Sequence, residues 1–152
     1  MTRTNVLATK DSVGSEVTLY GWVHNRRDHG KIIFIDLRDR SGVVQVVLVP
    51  SNKEVYEIGS QLRSEWVIRI KGKVNARPEK MVNPDISTGK VEVEPIELEI
   101  LNKSEAMPIS VDTDGYEIGE EVRMKYRYLD LRRQRLSTNL IKRHKIISFI
   151  RN

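Results

Sequence analysis

Apolar and polar residues alternate along much of the first hundred positions, which is the period of a half-buried β-strand. The alternating runs cover residues 17–24, 31–38, 43–48, 66–76 and 91–101. The breaks after the first two runs carry turn chemistry, Asp28-His29-Gly30 and Asp39-Arg40-Ser41-Gly42. The first three runs therefore predict an antiparallel meander. In the last run, Pro95 has no amide N–H to donate, which predicts a bulge or an edge position.

A helical period separates the third run from the fourth. Between Lys53 and Arg63, the apolar residues recur at spacings of three and four, which predicts a short amphipathic helix. The order of three strands, a helix and two strands is the layout of the OB-fold, a barrel that binds oligonucleotides on its second and third strands. An SH3-like barrel is the alternative, but it would not normally hold a helix at this point. The predicted fold is mainly β: a five-stranded OB-fold barrel with an inserted helix between strands 3 and 4.

The pattern changes after residue 101. Residues 102–115 carry proline, aspartate and glycine and predict a linker, and residues 117–133 predict partial helix. Residues 134–152 predict a clearer helix, whose apolar stripe consists of Leu136, Leu140, Ile147 and Ile150. A lone helix of this length is marginal in water. We therefore expect the stripe to pack on a part of a longer protein.

Composition narrows the possible functions. The net charge of +5 and the pI near 9.5 suit a polyanionic partner. There is no cysteine, which excludes disulfides and thiol chemistry, and the three histidines lack the spacing of metal ligands. No apolar run approaches the roughly 20 residues that span a bilayer, and no signal-peptide core is present. We expect a cytoplasmic protein with no metal site and no membrane partner.

Strand parity predicts a contact surface on the second and third strands. If Ile33, Ile35 and Leu37 face the core, Phe34 faces outward, and the same argument places Gln45 on the outer side of the third strand. An exposed ring can stack on an unpaired base while an exposed amide binds that base's edge. The alternative is that Phe34 packs beneath a loop or against the C-terminal segment. Parity alone leaves both open.

Basic residues favour the first alternative. Arg26 and Arg27 are expected at the rim of the first turn, and the fourth strand presents cations outward and ends at Arg77. The fifth strand presents glutamates instead. The barrel is therefore expected to carry a basic side, around Phe34 and Gln45, and an acidic side. The C-terminal segment is also basic, either as a solvated helix face or as a second contact with an RNA backbone.

Three strings resemble the start of bacterial-type aspartyl-tRNA synthetases: GWVHNRRDHG at 21–30, IFIDLRD at 33–39 and YRYLDLRR at 126–133. They stand in that family's order at compatible spacing, and the resemblance covers essentially the whole chain. The lysyl and asparaginyl enzymes share the barrel but do not combine the Arg-Arg-Asp-His-Gly turn with the Tyr-Leu-Asp-Leu-Arg-Arg string.

The resemblance implies that the barrel binds the anticodon loop of tRNA. Phe34 would stack on the middle base, a uridine, and Gln45 would read the edge of that base. Arg26, Arg27 and Arg77 would contact neighbouring bases or phosphates.

The same resemblance implies an aspartate–tRNA ligase, a homodimer that uses ATP and Mg²⁺ in its complete form. It divides the chain into an anticodon-binding barrel at 1–104, a linker or hinge at 105–134 and the truncated motif 1 helix of a class II catalytic domain at 135–152. Gln134 stands where relatives usually carry proline. Motifs 2 and 3 have no counterpart here, so this part is expected to bind no cofactor and to be inactive alone.

Two residues bear on which tRNA is read. By the resemblance, His29 favours relaxed recognition of both the Asp and Asn tRNAs, whereas Lys80 favours strict recognition of the Asp tRNA. The alternative is that His29 is a turn residue with no role in selecting the tRNA. The sequence therefore leaves two predictions open: recognition of both tRNAs, or recognition of the Asp tRNA alone.

Two other functions are retained as alternatives to the ligase. One is a free-standing OB-fold module that binds single strands without catalysis, and the other is a barrel that binds only proteins. The unmatched apolar stripe and the YRYLDLRR string favour the ligase, because a free module would need neither.

Overall fold

The structure is a computed structural model that describes residues 3–151. Its strands are β1 (Glu16–His29), β2 (Ile32–Asp39), β3 (Gly42–Leu48), β4 (Val67–Ala76) and β5 (Val91–Asn102). The first α-helix, α1 (Lys53–Gln61), lies between β3 and β4, and 3-10 helices cover Val6–Asp11 and Glu79–Met81. The chain forms two compact units that divide between residues 105 and 106.

The five strands close into a barrel in the order β1-β2-β3-β5-β4. All neighbours are antiparallel except β3 and β5, which pair in parallel through Gln45 with Glu92 and Val46 with Val93. A meander, a helix and two further strands in a closed ring confirm the predicted OB-fold barrel.

The barrel core follows the predicted parity. Ile33, Ile35 and Leu37 on β2 are at most 3% exposed, and the inner residues of β3 are buried as well. Helix α1 closes against this core with Val55 and Gly59, and the Asn52 side chain caps it by accepting from the Val55 N–H. At Gly59 a Cβ would lie 2.1 Å from Leu48 Cδ2, so the helix needs a glycine there to approach β3.

The first hairpin is longer than predicted. Residues 25–29, predicted as a connecting turn, continue β1, with Arg27 opposite Phe34 and His29 opposite Ile32. The turn consists of Gly30 and Lys31 alone, and Gly30 has a positive φ of 62°. None of the β1 residues 25–29 is buried, although they pair with β2, so apolar alternation is lost in this part of the strand. Arg26 and Arg27 therefore lie in a strand and not at the rim of a turn.

Pro95 lies at a β-bulge, as predicted. The register of β4 and β5 shifts there, from Lys71 opposite Glu97 to Gly72 opposite Pro95. At Gly72 a Cβ would lie 2.5 Å from the carbonyl oxygen of Glu94, so the two backbones approach more closely than a side chain would allow.

The expectation of separate basic and acidic sides is wrong. Strand β4 lies between β1 and β5, so its cations face the glutamates of β5 and do not surround β2 and β3. Arg69 Nε lies 2.9 Å from Glu99 Oε2, and Lys71 Nζ lies 3.4 Å from Glu97 Oε1. Opposite charges on neighbouring strands attract as cross-strand pairs, and they neutralise one another here.

Asp39 joins the N-terminal segment to the barrel. Its buried carboxylate accepts from the Val6 N–H at 3.0 Å and from the Ser41 N–H at 2.7 Å. Burial would raise the pKa of Asp39, but hydrogen bonds from the Ser41 side chain and from the backbone of Val6, Ser41 and Gly42 outweigh it and hold the pKa below its ordinary value. The sequence pattern did not predict this 3-10 helix or its anchor.

Arg26 supports the end of α1. Its Nη1 donates to the carbonyl oxygens of Ser60 at 2.6 Å and Leu62 at 3.2 Å, and its Nε and Nη2 bind Asp28 at 3.0 and 2.7 Å. The last carbonyls of a helix lack partners within the helix, and a cation is favourable at that end. Arg26 therefore fastens α1 to β1.

The second unit holds the helices α2 (Glu120–Lys125), α3 (Arg127–Asp130) and α4 (Gln134–Arg151). A small apolar cluster forms around Ile109, Val111 and Leu129. Beside it, Asp130 is fully buried and accepts from three arginines, with Arg133 Nε at 2.8 Å. Hydrogen bonds from Arg123 and Arg133 hold the pKa of Asp130 below its ordinary value, although burial raises it.

Helix α4 confirms the predicted helix as far as Arg151; Asn152 lies outside the described residues. The predicted stripe is only part of its apolar surface, because Ile141, Ile146 and Phe149 are 54–85% exposed. With about 3.6 residues per turn, these three lie on other sides of the helix. None of the helices in residues 3–151 is long and apolar enough to cross a bilayer. The assignment of this unit to a hinge and a class II domain stays a prediction.

Asp39→Asn is expected to lower the free energy of unfolding at neutral pH by about 1–3 kcal/mol, because the buried N–H donors lose a charged acceptor. The folded-state pKa of Asp39 lies below its ordinary value of 3.8. Its contribution is therefore complete above that value and is lost as the pH falls through the folded-state pKa. Urea unfolding from neutral pH down to about pH 3 should show a shallower acid dependence in the variant. Asp85→Asn, at an exposed carboxylate, is the control, and identical pH profiles for Asp39→Asn and wild type would contradict this role.

Arg26→Ala is expected to lower the free energy of unfolding by about 1–2 kcal/mol, since the α1 carbonyls lose a charged donor. The measurement is the urea unfolding curve of this chain. Arg40→Ala removes an exposed arginine and should leave the curve unchanged. Equal unfolding midpoints for the two variants would show that Arg26 does not fasten the helix.

Candidate nucleic-acid interface

A groove of about 360 Å³ crosses the outer surface of the barrel over β1, β2, β3 and the start of β5. It contains five of the seven predicted site residues. The side chains that line it are Arg27, His29, Ile32, Phe34, Gln45, Val47, Arg77, Met81 and Glu92. Strand pairing therefore brings together residues that are up to 65 positions apart in the chain.

Two rows of cross-strand partners build the groove. Arg27, Phe34 and Val47 face one another across β1, β2 and β3. In the next row, Asp36 pairs with Gln45, which pairs with Glu92 on β5. Phe34 points outward and is partly exposed, which agrees with its parity. The groove thus has a row with two apolar side chains, Phe34 and Val47, beside an entirely polar row.

Gln45 is less exposed than predicted. It faces outward, but it is only 7% exposed, because β5 closes the barrel beside it. Its Nε2 donates to Glu92 Oε2 at 3.3 Å. A carboxylate only accepts, so this contact decides which end of the amide faces Glu92. The amide oxygen and the second N–H stay available to a ligand.

The charges of the groove are nearly balanced. Arg27 Nη2 lies 2.9 Å from Asp36 Oδ1, and Arg77 Nε lies 3.8 Å from Glu92 Oε2. The second distance exceeds a hydrogen bond, and Arg77 Nε is buried without a hydrogen-bond partner among residues 3–151. Two guanidinium groups that each face a carboxylate attract phosphate weakly. They can still donate to the oxygen and nitrogen acceptors of a base.

Arg26 and Lys80 do not line the groove. Arg26 lies at the end of α1 and binds the carbonyl oxygens of Ser60 and Leu62. Lys80 is exposed on the short helix Glu79–Met81, and its neighbour Met81 does line the groove. Lys80 therefore stands at the border of the groove, whereas Arg26 belongs to the framework.

Glu92 and Asp36 are polar residues of this surface that the sequence argument did not select. Parity placed Glu92 with the outward glutamates of the fifth strand, and only the pairing of β3 with β5 brings it beside Gln45. Strand parity places Asp36 on the same outer face of β2 as Phe34. Its cross-strand neighbours, which the sequence pattern does not show, give it a specific contact.

Known proteins share this barrel and about half of the residues of this sequence. A family model described as an OB-fold nucleic acid binding domain matches residues 17–104. The Aspartate--tRNA(Asp/Asn) ligase of Endomicrobium trichonymphae is 52% identical over 143 residues, which cover 94% of this chain and 24% of that protein. The Aspartate--tRNA ligase of Staphylococcus carnosus is 49% identical over 146 residues, which cover 95% and 25%.

A solved structure agrees in fold. The aspartyl tRNA synthetase from Entamoeba histolytica superposes with a TM-score of 0.74 at 19% identity, over 88% of this chain and 33% of that one. The chain spans about a quarter of the length of the curated relatives it matches. Their names confirm the resemblance to aspartyl-tRNA synthetases that the three strings indicate. The chain belongs to the family of OB-fold nucleic acid binding domains.

Proposed function

We propose that this chain binds the anticodon loop of tRNA as the anticodon-binding part of an aspartate–tRNA ligase. The groove carries the proposal, because it joins a partly exposed aromatic ring to an amide and two arginines on the strand face that OB-folds use for oligonucleotides. The similarity to two aspartate–tRNA ligases at about half identity supports the choice of tRNA over other single strands.

The polar row suits a uridine as the base that stacks on Phe34. Glu92 takes one N–H of the Gln45 amide, which leaves the other N–H to donate and the amide oxygen to accept. Uridine offers an acceptor at O4 and a donor at N3, which are the complements of these groups. Cytidine offers a donor and an acceptor in the reverse order, so both contacts would be lost and polar groups left unpaired.

The two groove arginines suit the bases on either side. Arg27 borders Phe34 on β1, and Arg77 borders Gln45 near Glu92. Each is held close to a carboxylate, so the guanidinium plane has a preferred place before the ligand arrives. Guanidinium groups bind base edges and stack on base planes. His29, at the end of β1, and Lys80, at the border, would read the adjacent base.

The chemistry of the complete protein is part of the proposal. The whole ligase would be a homodimer that activates aspartate with ATP and Mg²⁺ and transfers it to the 3′ end of tRNA, with residues 135–152 as the first part of motif 1. Within residues 3–151, no three His, Asp or Glu side chains gather as a metal site requires. No chemical step is assigned to the described residues. This chain would hold and orient the tRNA.

Phe34→Ala and Gln45→Ala are each expected to weaken binding of a labelled Asp anticodon stem-loop, measured by fluorescence anisotropy. Loss of a stacked base should cost Phe34→Ala about tenfold to a hundredfold in Kd, and Gln45→Ala about tenfold. Trp22→Ala, which removes an exposed aromatic ring outside the groove, is the matched control. Unchanged affinity in both groove variants would refute the site. Equal binding of the stem-loop and an unstructured strand would favour a general single-strand module.

His29→Leu is expected to sharpen the preference for the Asp loop over the Asn loop, because a polar group that accepts both last anticodon bases is removed. The ratio of Kd values for stem-loops with the anticodons GUU and GUC should rise about fivefold. Lys80→Ala should move the same ratio in the opposite direction. If neither substitution moves the ratio, the border of the groove does not select the last base.

A further inference from the structure

A carboxylate sets the position of Arg27 in the groove. Nη2 of Arg27 lies 2.9 Å from Oδ1 and 3.1 Å from Oδ2 of Asp36. The Arg27 side chain makes no other hydrogen bond within residues 3–151. One nitrogen therefore holds the guanidinium group in place, and the N–H groups on Nε and Nη1 stay available to a ligand.

The strand register gives the pair its direction. Arg27 is the cross-strand partner of Phe34, and Asp36 lies two residues beyond Phe34 on the same face of β2. The Arg27 side chain therefore crosses β2 diagonally toward the row of Asp36 and Gln45. This course carries a planar cation past the Phe34 position, where a stacked base would lie.

The two partners differ in exposure and in place. The Asp36 side chain is 17% exposed and does not line the groove, whereas Arg27 is 54% exposed and does. A pair this open to solvent adds little to stability. The main effect of the pair is to orient the guanidinium group of Arg27 and to neutralise its charge. We infer that Asp36 is a positioning residue, which fixes Arg27 as a donor to a base and prevents it from acting as a free phosphate-binding cation.

This inference rests on the proposed function of the groove, and it has two consequences that a structural role would not have. An unpaired arginine releases counterions when it meets a phosphate, so the affinity becomes more salt-dependent. An arginine without a fixed partner also has more freedom to lose on binding, so it contributes less to selecting a base. Removing the charge of Asp36 should therefore change both salt dependence and base discrimination.

The test compares wild type with Asp36→Asn, using this chain and labelled stem-loops that keep the middle uridine and vary the base on either side of it. With Asp36→Asn, the slope of log K against log salt should steepen by about 0.7, the value for one further phosphate on a single strand. The preference for the flanking bases of the Asp anticodon should fall about twofold to tenfold, whereas the preference for a middle uridine, which Gln45 sets, should not change. In an Arg27→Ala background, Asp36→Asn should have no further effect on either quantity.

Control variants separate charge from shape. Asp36→Glu keeps the charge and should keep the wild-type slope, and Asp36→Ser is a second neutral variant if Asp36→Asn does not fold. Asp28→Asn makes the same change beside Arg26, which the Ser60 and Leu62 carbonyls still hold, so its slope should not move. A uniform loss of affinity at an unchanged slope would overturn the inference. If wild type shows no preference for the Asp stem-loop, and Phe34→Ala does not change the affinity, the proposed function itself is refuted.

Discussion

The barrel depends on a short parallel contact between β3 and β5. The other four strand pairs of the barrel are antiparallel. Two residue pairs, Gln45 with Glu92 and Val46 with Val93, join β3 to β5 and close the ring. Closure removes the free sheet edges, and the inward-facing apolar residues of both strands, such as Val46 and Val93, are fully buried. The same contact places an outward glutamate beside an outward glutamine, so the step that completes the fold also completes the polar row of the groove.

The charges of the barrel are used for pairing more than for attraction. The cations of β4 face the glutamates of β5, and the groove arginines face Asp36 and Glu92. A net charge of +5 would suit general affinity for a polyanion. Pairing reduces that affinity where a base is to be read, because a neutralised guanidinium gains little from a phosphate. Under the proposed function, selectivity in the groove would depend on hydrogen bonds and stacking.

Strand parity predicted the residues that one strand alone decides. Ile35 on β2 and Val46 on β3 are in the core, and Phe34 faces outward. Successive side chains of a strand point to opposite faces, so the strand's own sequence is enough to predict these positions. The pattern could not give the neighbours of each strand. The contact of Gln45 with Glu92 and the neutralisation of Arg69 both depend on which strands adjoin in the closed ring. The 3-10 helix that Asp39 anchors has no periodic pattern of apolar residues. The polar part of β1 has no buried face, so no apolar alternation indicates that it is a strand.

Alternation also separates structural from binding roles on the first hairpin. Arg26 and Arg27 are identical side chains at consecutive positions, so a β-strand sends them to opposite faces. Arg26 reaches the carbonyls at the end of α1, and Arg27 reaches Asp36 beside the groove. The hairpin can therefore be fixed to the helix on one side without restricting the surface on the other. A change at Arg27 would therefore leave the attachment of the helix in place, so the two arginines can be altered separately.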